Sequence, residues 1–359
     1  MTQEEQYRHM TATPIPSLIV SLAIPTIISM LVTSIYNLAD TYFVSTIGTS
    51  ASAAVGVVFG LMAVLQAFGF MFGHGAGSHI SRHLGAKDVE GARVYSSDSF
   101  YLSLVTGVVI AVLGLFFLDP FMCLLGATRT ILPYARIYGM YILLAGPAFT
   151  ASCVLNNILR YEGRAFYAMI GLTSGGILNI FGDALLIKVF HMGIGGAGLS
   201  TMVTQYISLF ILMVPYFSGQ TRSSLSPRYF TLQKDIVTGI IAVGFPSLMR
   251  QGLNAVSTMV LNGAAGQFGD EAVAAISIVN RIMMFLIAVS IGIGQGFQPV
   301  SAFPMAGCFF CFYPQLRGKE VFPGEGWISV FSEAFGSADA CVRYHRVCGG
   351  FTACEGVPR

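Results

Sequence analysis

Eight long apolar stretches decide what this chain can fold into. They run at about 16–44, 51–74, 95–118, 132–158, 165–189, 195–217, 236–261 and 271–300. A helix crossing the hydrocarbon core needs roughly 20 predominantly apolar residues. Residues are 54% hydrophobic and only 10% charged, against about 25% charged in an ordinary soluble domain. Too few polar side chains remain to coat a water-facing surface, so the bilayer is the solvent and lipid the first partner. The expected fold is all-α and polytopic. A net charge of +2 gives nucleic acid no foothold. No short apolar stretch ends in an A-x-A-like cleavage site, so the first span is expected to serve as its own insertion signal.

The connections set the orientation. Arg82, Lys87 and Arg93 follow span 2, Arg160 and Arg164 follow span 4, and Arg222, Arg228 and Lys234 follow span 6. The opposite side offers mainly Arg129 and Lys188, with Arg136 near its edge. The bias of Lys and Arg toward cytoplasmic loops then predicts a plasma-membrane protein with its N-terminus on the cytoplasmic side.

A repeat divides the chain. Shifted by 221 residues without a gap, Pro25 falls on Pro246, Gly48 on Gly269, Met62 on Met283, and Gly73 and Gly75 on Gly294 and Gly296. Ala51, Ala53 and Ala54 fall on Ala272, Ala274 and Ala275. Spans 7 and 8 therefore read as spans 1 and 2 again, and two repeats of the same hand imply an axis along the membrane normal. The expected organisation is a six-helix bundle over 1–217, a cytoplasmic linker over 218–235, and the first two helices of a second bundle over 236–303. From Pro304 the chain turns Cys-rich, and no further apolar stretch of spanning length follows. Residues 304–359 are read as an aberrant tail, from a shifted reading frame or a truncated gene, with a native soluble tail as the rival. Cys308, Cys311, Cys341, Cys348 and Cys354 fit no common zinc spacing.

Several polar residues sit inside the apolar stretches. A carboxylate at membrane depth costs roughly 2.5–3.5 kcal/mol on insertion scales. Asp40 is such a group, unless span 1 ends near Leu38 and leaves it at the interface. Asn179 and Asp183 are four apart and share a helix face. Tyr36, Asn37, Asn156, Asn157 and Gln205 either line a cavity or hydrogen-bond between helices. Pro25 and Pro246 are candidate hinges or static bends. His74, His79 and His83 crowd the end of span 2 without a Cys, Asp or Glu to complete a metal set. Arg250 and Arg281 either snorkel to an interface or face a central cavity.

Three segments carry a family resemblance. Ile24-Pro25-Thr26 with Tyr36-Asn37-Leu38-Ala39-Asp40-Thr41 is one. The others are Leu155-Asn156-Asn157-Ile158-Leu159-Arg160-Tyr161-Glu162-Gly163 and Leu178-Asn179-Ile180-Phe181-Gly182-Asp183. Together they resemble the multidrug and toxic compound extrusion (MATE) family over residues 14–303. The resemblance implies twelve helices in two bundles, of which this chain supplies about eight. It also implies export of cationic or amphiphilic compounds in exchange for Na⁺ or H⁺ by alternating access, at a site matching Asp40, Asn179, Asp183 and Thr201. Those side chains offer oxygen ligands, which suit hard cations, and the same residues serve either ion. No other cofactor is implied, and a monomer is expected. The alternatives are a lipid-linked oligosaccharide flippase, which would favour a strongly cationic groove, and a non-transporting remnant. An embedded enzyme is not expected, because no nucleophile–base pair or H-E-x-x-H motif lies at membrane depth.

Overall fold

The computed structural model describes residues 15–266, 283 and 285–302, and every regular element among them is helical. Helix α1 spans Ile15–Ser45, α2 Thr49–Gly85, α3 Val89–Phe116, and the short α4 Leu118–Leu124. Then come α5 Leu132–Tyr161, α6 Ala165–Asp183, α7 Gly193–Phe217 and α8 Lys234–Gly266. The last described helix, α9, is Phe285–Ala302. Eight of these elements are long and apolar enough to cross a membrane, with α6 counted together with the turn that follows it. Arg281, the first part of expected span 8 and residues 303–359 lie outside the described residues.

The observed helices outrun the hydropathy pattern. Helix α2 continues to Gly85 rather than stopping near His74, so its three histidines lie within the helix. Asp88 caps the next helix: its carboxylate accepts from Gly91 N at 3.0 Å and pairs with His83 Nδ1 at 2.8 Å. That cap satisfies one of the free N–H groups at a helix start. Glu162 and Gly163 close α5, with Gly163 at φ +78°. Its left-handed backbone costs glycine little.

Helix α5 is the pillar of the first six spans, with 78% of its membrane-length window buried. Small residues permit this. Ala145, Gly146, Ala148, Ala151 and Ser152 are all buried along it. A Cβ on Gly107 of α3 would come within 2.4 Å of Thr150 Oγ1 and 2.7 Å of Pro147 Cα. In lipid such close packing, rather than water exclusion, holds helices together. Thr150 adds an interhelical bond, donating to the Ser103 carbonyl at 2.9 Å.

The repeat reappears in the packing. Helix α2 meets α8 at Met71 and Gly75, where Gly244 and Ile240 press on their backbone and Cα positions. Helix α9 meets α1 at Gly292 and Gly296, against Ile27 and Ala23. Gly292 and Gly296 stand 221 residues after Met71 and Gly75. Equivalent positions therefore make both crossings.

The segment of the expected linker carries local structure of its own. Pro227–Tyr229 forms a 3₁₀ turn, and the segment packs along α3. Ser97 Oγ donates to Ser226 O at 3.1 Å and Tyr101 to Leu225 O at 3.1 Å. Arg93 donates to Arg222 O at 3.3 Å and to the Tyr229 hydroxyl at 3.2 Å. Asp98, fully buried, accepts from Thr231 N at 2.9 Å and Thr231 Oγ1 at 3.2 Å.

Candidate functional site

Helix α1 runs past Leu38 to Ser45, so Asp40 lies within the helix and not at its end. It is 5% exposed. Tyr138 of α5, also buried, donates to Asp40 Oδ2 at 3.4 Å, while Oδ1 has no partner among the described residues. Asp183 is fully buried at the end of α6 and adjoins Asp40 and Ser200. Neither of its oxygens makes a hydrogen bond of ordinary geometry.

Asn179, one turn earlier, donates to Thr201 Oγ1 at 3.2 Å and to Ser200 Oγ at 3.5 Å. Ser200 in turn donates to the Asn179 carbonyl at 3.2 Å. Gly182 allows this approach, since a Cβ there would sit 2.4 Å from Ser200 Oγ. Asp40, Asn179, Asp183 and Thr201 thus form one cluster, drawn from α1, α6 and α7. Tyr138 and Ser200 belong to it and were not singled out from sequence. Ser200 adjoins Thr201, but a Ser or Tyr in an apolar helix ordinarily signals only helix packing.

The backbone beneath the cluster is irregular. From Ala184 to Val189 the chain winds as a π-helix directly after Asp183. Such single wide turns recur at functional sites. The wide turn shifts hydrogen-bond register where a carboxylate stands.

Beside the cluster lies a cavity of about 30 Å³, lined in part by Tyr36, Asn179, Thr201, Gln205 and Ser208. That is room for one or two waters. Asn156 and Asn157 do not line this cavity: they belong to helix packing. Asn156 donates to the Ala168 carbonyl of α6 at 2.9 Å. Asn157 turns back to Cys153 O at 2.8 Å and fills the notch left by Gly73. Their burial, 3% and 1% exposed, forces amide groups to find backbone partners. Asn37 is half-buried on α1, its carbonyl accepting from Thr41 Oγ1 at 2.8 Å, and it is absent from the cavity lining. Pro25 and Pro246 fall in the body of α1 and α8 and end neither helix. Ser29 donates to the Pro25 carbonyl at 2.7 Å.

Fold and site together define a polytopic helical membrane protein with a carboxylate cluster buried among α1, α6 and α7. The MatE family profile matches residues 25–185 and 246–305. The chain is 30% identical over 303 residues to the multidrug export protein MepA of Staphylococcus haemolyticus, and 29% over 282 residues to that of Staphylococcus saprophyticus. These matches cover 84% and 78% of this chain but 67% and 62% of the relatives. A MATE crystal structure in complex with MaD3S superposes with a TM-score of 0.80 at 30% identity, covering 85% of this chain and 69% of that one. A MOP-superfamily transporter from Pyrococcus furiosus gives 0.79 at 30% identity, covering 85% and 68%. This chain belongs to the MatE family. It spans about two thirds of the length of the relatives it matches.

Proposed function

We propose that this chain carries the ion-coupling bundle of a secondary multidrug exporter that exchanges cationic or amphiphilic compounds for Na⁺ or H⁺. Asp183 is the observation that carries the reading: a fully buried carboxylate beside a second one, with neither oxygen conventionally bonded. Two adjacent carboxylates in low dielectric repel each other. A cation between them, or a proton on one of them, removes that penalty. Asn179 and Thr201 supply neutral oxygens to the same spot. Tyr138 fixes Asp40, and the neighbouring cavity gives water a place beside the site.

The cycle has two states. Ion entry from outside joins α1, α6 and α7 through their oxygens and favours one packing of the bundle. Substrate from inside favours the other. Coupling requires only that each ligand binds the two states with different affinity. Pro25 and Pro246 are the proposed bending points. The basic connections support an N-terminus on the cytoplasmic side of a plasma membrane, and the proposed transporter acts as a monomer.

The test is dye efflux from proteoliposomes, with the Na⁺ gradient and the pH gradient imposed separately. It is run on this chain and on a version extended to the length of its relatives. Efflux by the extended version driven by one gradient alone identifies the coupling ion. Efflux indifferent to both gradients sinks the antiport reading. Efflux by the extended version but not by this chain identifies the chain as a non-transporting remnant.

A further inference from the structure

A second buried polar cluster lies at the opposite end of α5, where α2, α5, α8 and α9 meet. Arg160, in the last turn of α5, is 3% exposed. Its Nη1 donates to Gln295 Oε1 of α9. Its Nε and Nη2 have no hydrogen-bond partner among the described residues. His74 of α2 faces the same region at 6% exposed. Its Nδ1 shares a hydrogen bond with Ser247 Oγ of α8 at 2.8 Å, and its Nε2 has none. Arg160 and Arg250 both act electrostatically on this imidazole.

No described carboxylate answers these cations. The ion pairs His83–Asp88 and Arg136–Asp119 both lie away from Arg160, Arg250 and His74. Asp98 accepts from Thr231, and Glu162 Oε1 accepts from Ser223 N. Asp40 and Asp183 belong to the cluster near the other end of the helix. The carbonyl end of α5 supplies about half a negative charge, but no acceptor for these two N–H groups. Leaving them unmade in a buried guanidinium is costly.

The free atoms have a specific shape. Nε–H and Nη2–H form one edge of the guanidinium plane, two parallel donors spaced for two oxygens of a carboxylate or phosphate. We propose that this junction binds the oxyanion head, phosphate or carboxylate, of an amphiphile, with two oxygens on the Nε–Nη2 edge of Arg160. His74 Nε2 and Arg250 complete the head's surroundings. The inference refines the exporter reading, on which its purpose rests: the molecules handled include anionic or zwitterionic amphiphiles, not cations alone.

The experiment uses the whole chain, purified in dodecyl maltoside, with equilibrium binding measured for dodecyl phosphate and for dodecyltrimethylammonium. The tails match, so only the head differs. Dodecyl phosphate should bind at least about tenfold more tightly, the factor of one charge-assisted hydrogen bond. Arg160→Lys keeps the charge, loses the two-donor edge, and should erase most of that preference. Arg250→Gln alters an exposed residue, so it tests the idea even if Arg160→Lys misfolds; it should weaken dodecyl phosphate severalfold. Native mass spectrometry separates the sources. Co-purified phospholipid displaced by dodecyl phosphate identifies a lipid headgroup as the natural occupant. A chain free of phospholipid that still prefers the phosphate points to a soluble amphiphilic anion. Equal binding of both heads, or a preference unchanged in both variants, overturns the proposal. Binding is read without any gradient, so a failure of ion-coupled export and a failure here are told apart.

Discussion

Helices α1, α3, α5 and α6 bury two pairs of carboxylates toward opposite ends, and the donors that reach them differ. At the end where α3 begins and α5 stops, Asp98 accepts from Thr231 and Leu232. Glu162 accepts from Ser223 N at 2.9 Å. The linker supplies every one of these donors. At the other end Asp40 has one long bond from Tyr138, and Asp183 has none of ordinary geometry. Burial is similar at both ends, so it cannot by itself distinguish a structural carboxylate from a functional one. What separates them is whether backbone donors are within reach. A polar group satisfied by main chain is locked into the fold. One left short is free to accept an ion, and that is the physical core of the proposed mechanism.

The largest expected effect breaks this comparison at its unsatisfied end. Asp183→Asn, in the version extended to its relatives' length, should reduce ion-driven efflux to background while leaving the protein inserted. The same variant should lose any stabilisation by the coupling ion, which for a site held at 100 times its Kd amounts to about 2.7 kcal/mol. Melting curves with and without Na⁺, at fixed ionic strength, measure it. Unchanged efflux would make Asp183 one more structural carboxylate. Asp98→Ala tests the satisfied end and should behave in reverse. It strands the Thr231 donors and should destabilise the chain by about 3 kcal/mol. The ion response, compared at matched distance from unfolding, should stay intact. Limited proteolysis of the linker gives the same answer independently, with cleavage near Thr231 accelerated.

How much of this was legible in the sequence follows from range. Span number and order are local properties of hydropathy, and eight apolar stretches became eight spanning elements. The spacing of Asn179 and Asp183 fixes a shared helix face with no tertiary information. Tyr138 and Ser200 were not legible, because their roles arise only when α5 and α7 are set beside α1 and α6. The contacts of the linker were not legible for a related reason. Its polar residues read as a connection between helices, and its backbone N–H groups are what the buried Asp98 and Glu162 accept from. Sequence patterns describe side chains, and those contacts are mostly main chain. The Arg160 cluster was hidden by placement: Arg160 read as part of the basic connection after span 4, but α5 continues to Tyr161 and buries it. The intramembrane cations are few in number, but folding concentrates Arg160, Arg250 and His74 at one junction.

A smaller effect concerns pH at the linker end. Burial pushes the Glu162 carboxyl above the usual carboxylate range, although Ser223 and Arg164 act against it. The folded chain therefore holds this proton more tightly than the unfolded chain. Its contribution to stability is full below the ordinary carboxylate pKa and is lost as pH rises through the raised value. Glu162→Gln should flatten that part of the pH–stability curve, measured by thermal melts from acid to neutral pH. A curve of unchanged slope would assign the dependence to another group.

Asp88, at the same end but near water, should give the smallest effect and the opposite sign. Its hydrogen bond from Gly91 N, and then His83, hold its carboxyl below the usual range. Stability from this cap is therefore present above the ordinary carboxylate pKa and is lost as pH falls through the lowered value. Asp88→Ala should cost about 1 kcal/mol at neutral pH, the usual worth of a helix N-cap, and almost nothing in strong acid. High salt should barely change that cost, because the cap bond to Gly91, rather than the half-exposed pair with His83, supplies most of it. A cost that vanished in salt would reverse this ranking. It would make the turn between α2 and α3 an electrostatic latch, unlike the main-chain clasp that holds Asp98 and Glu162.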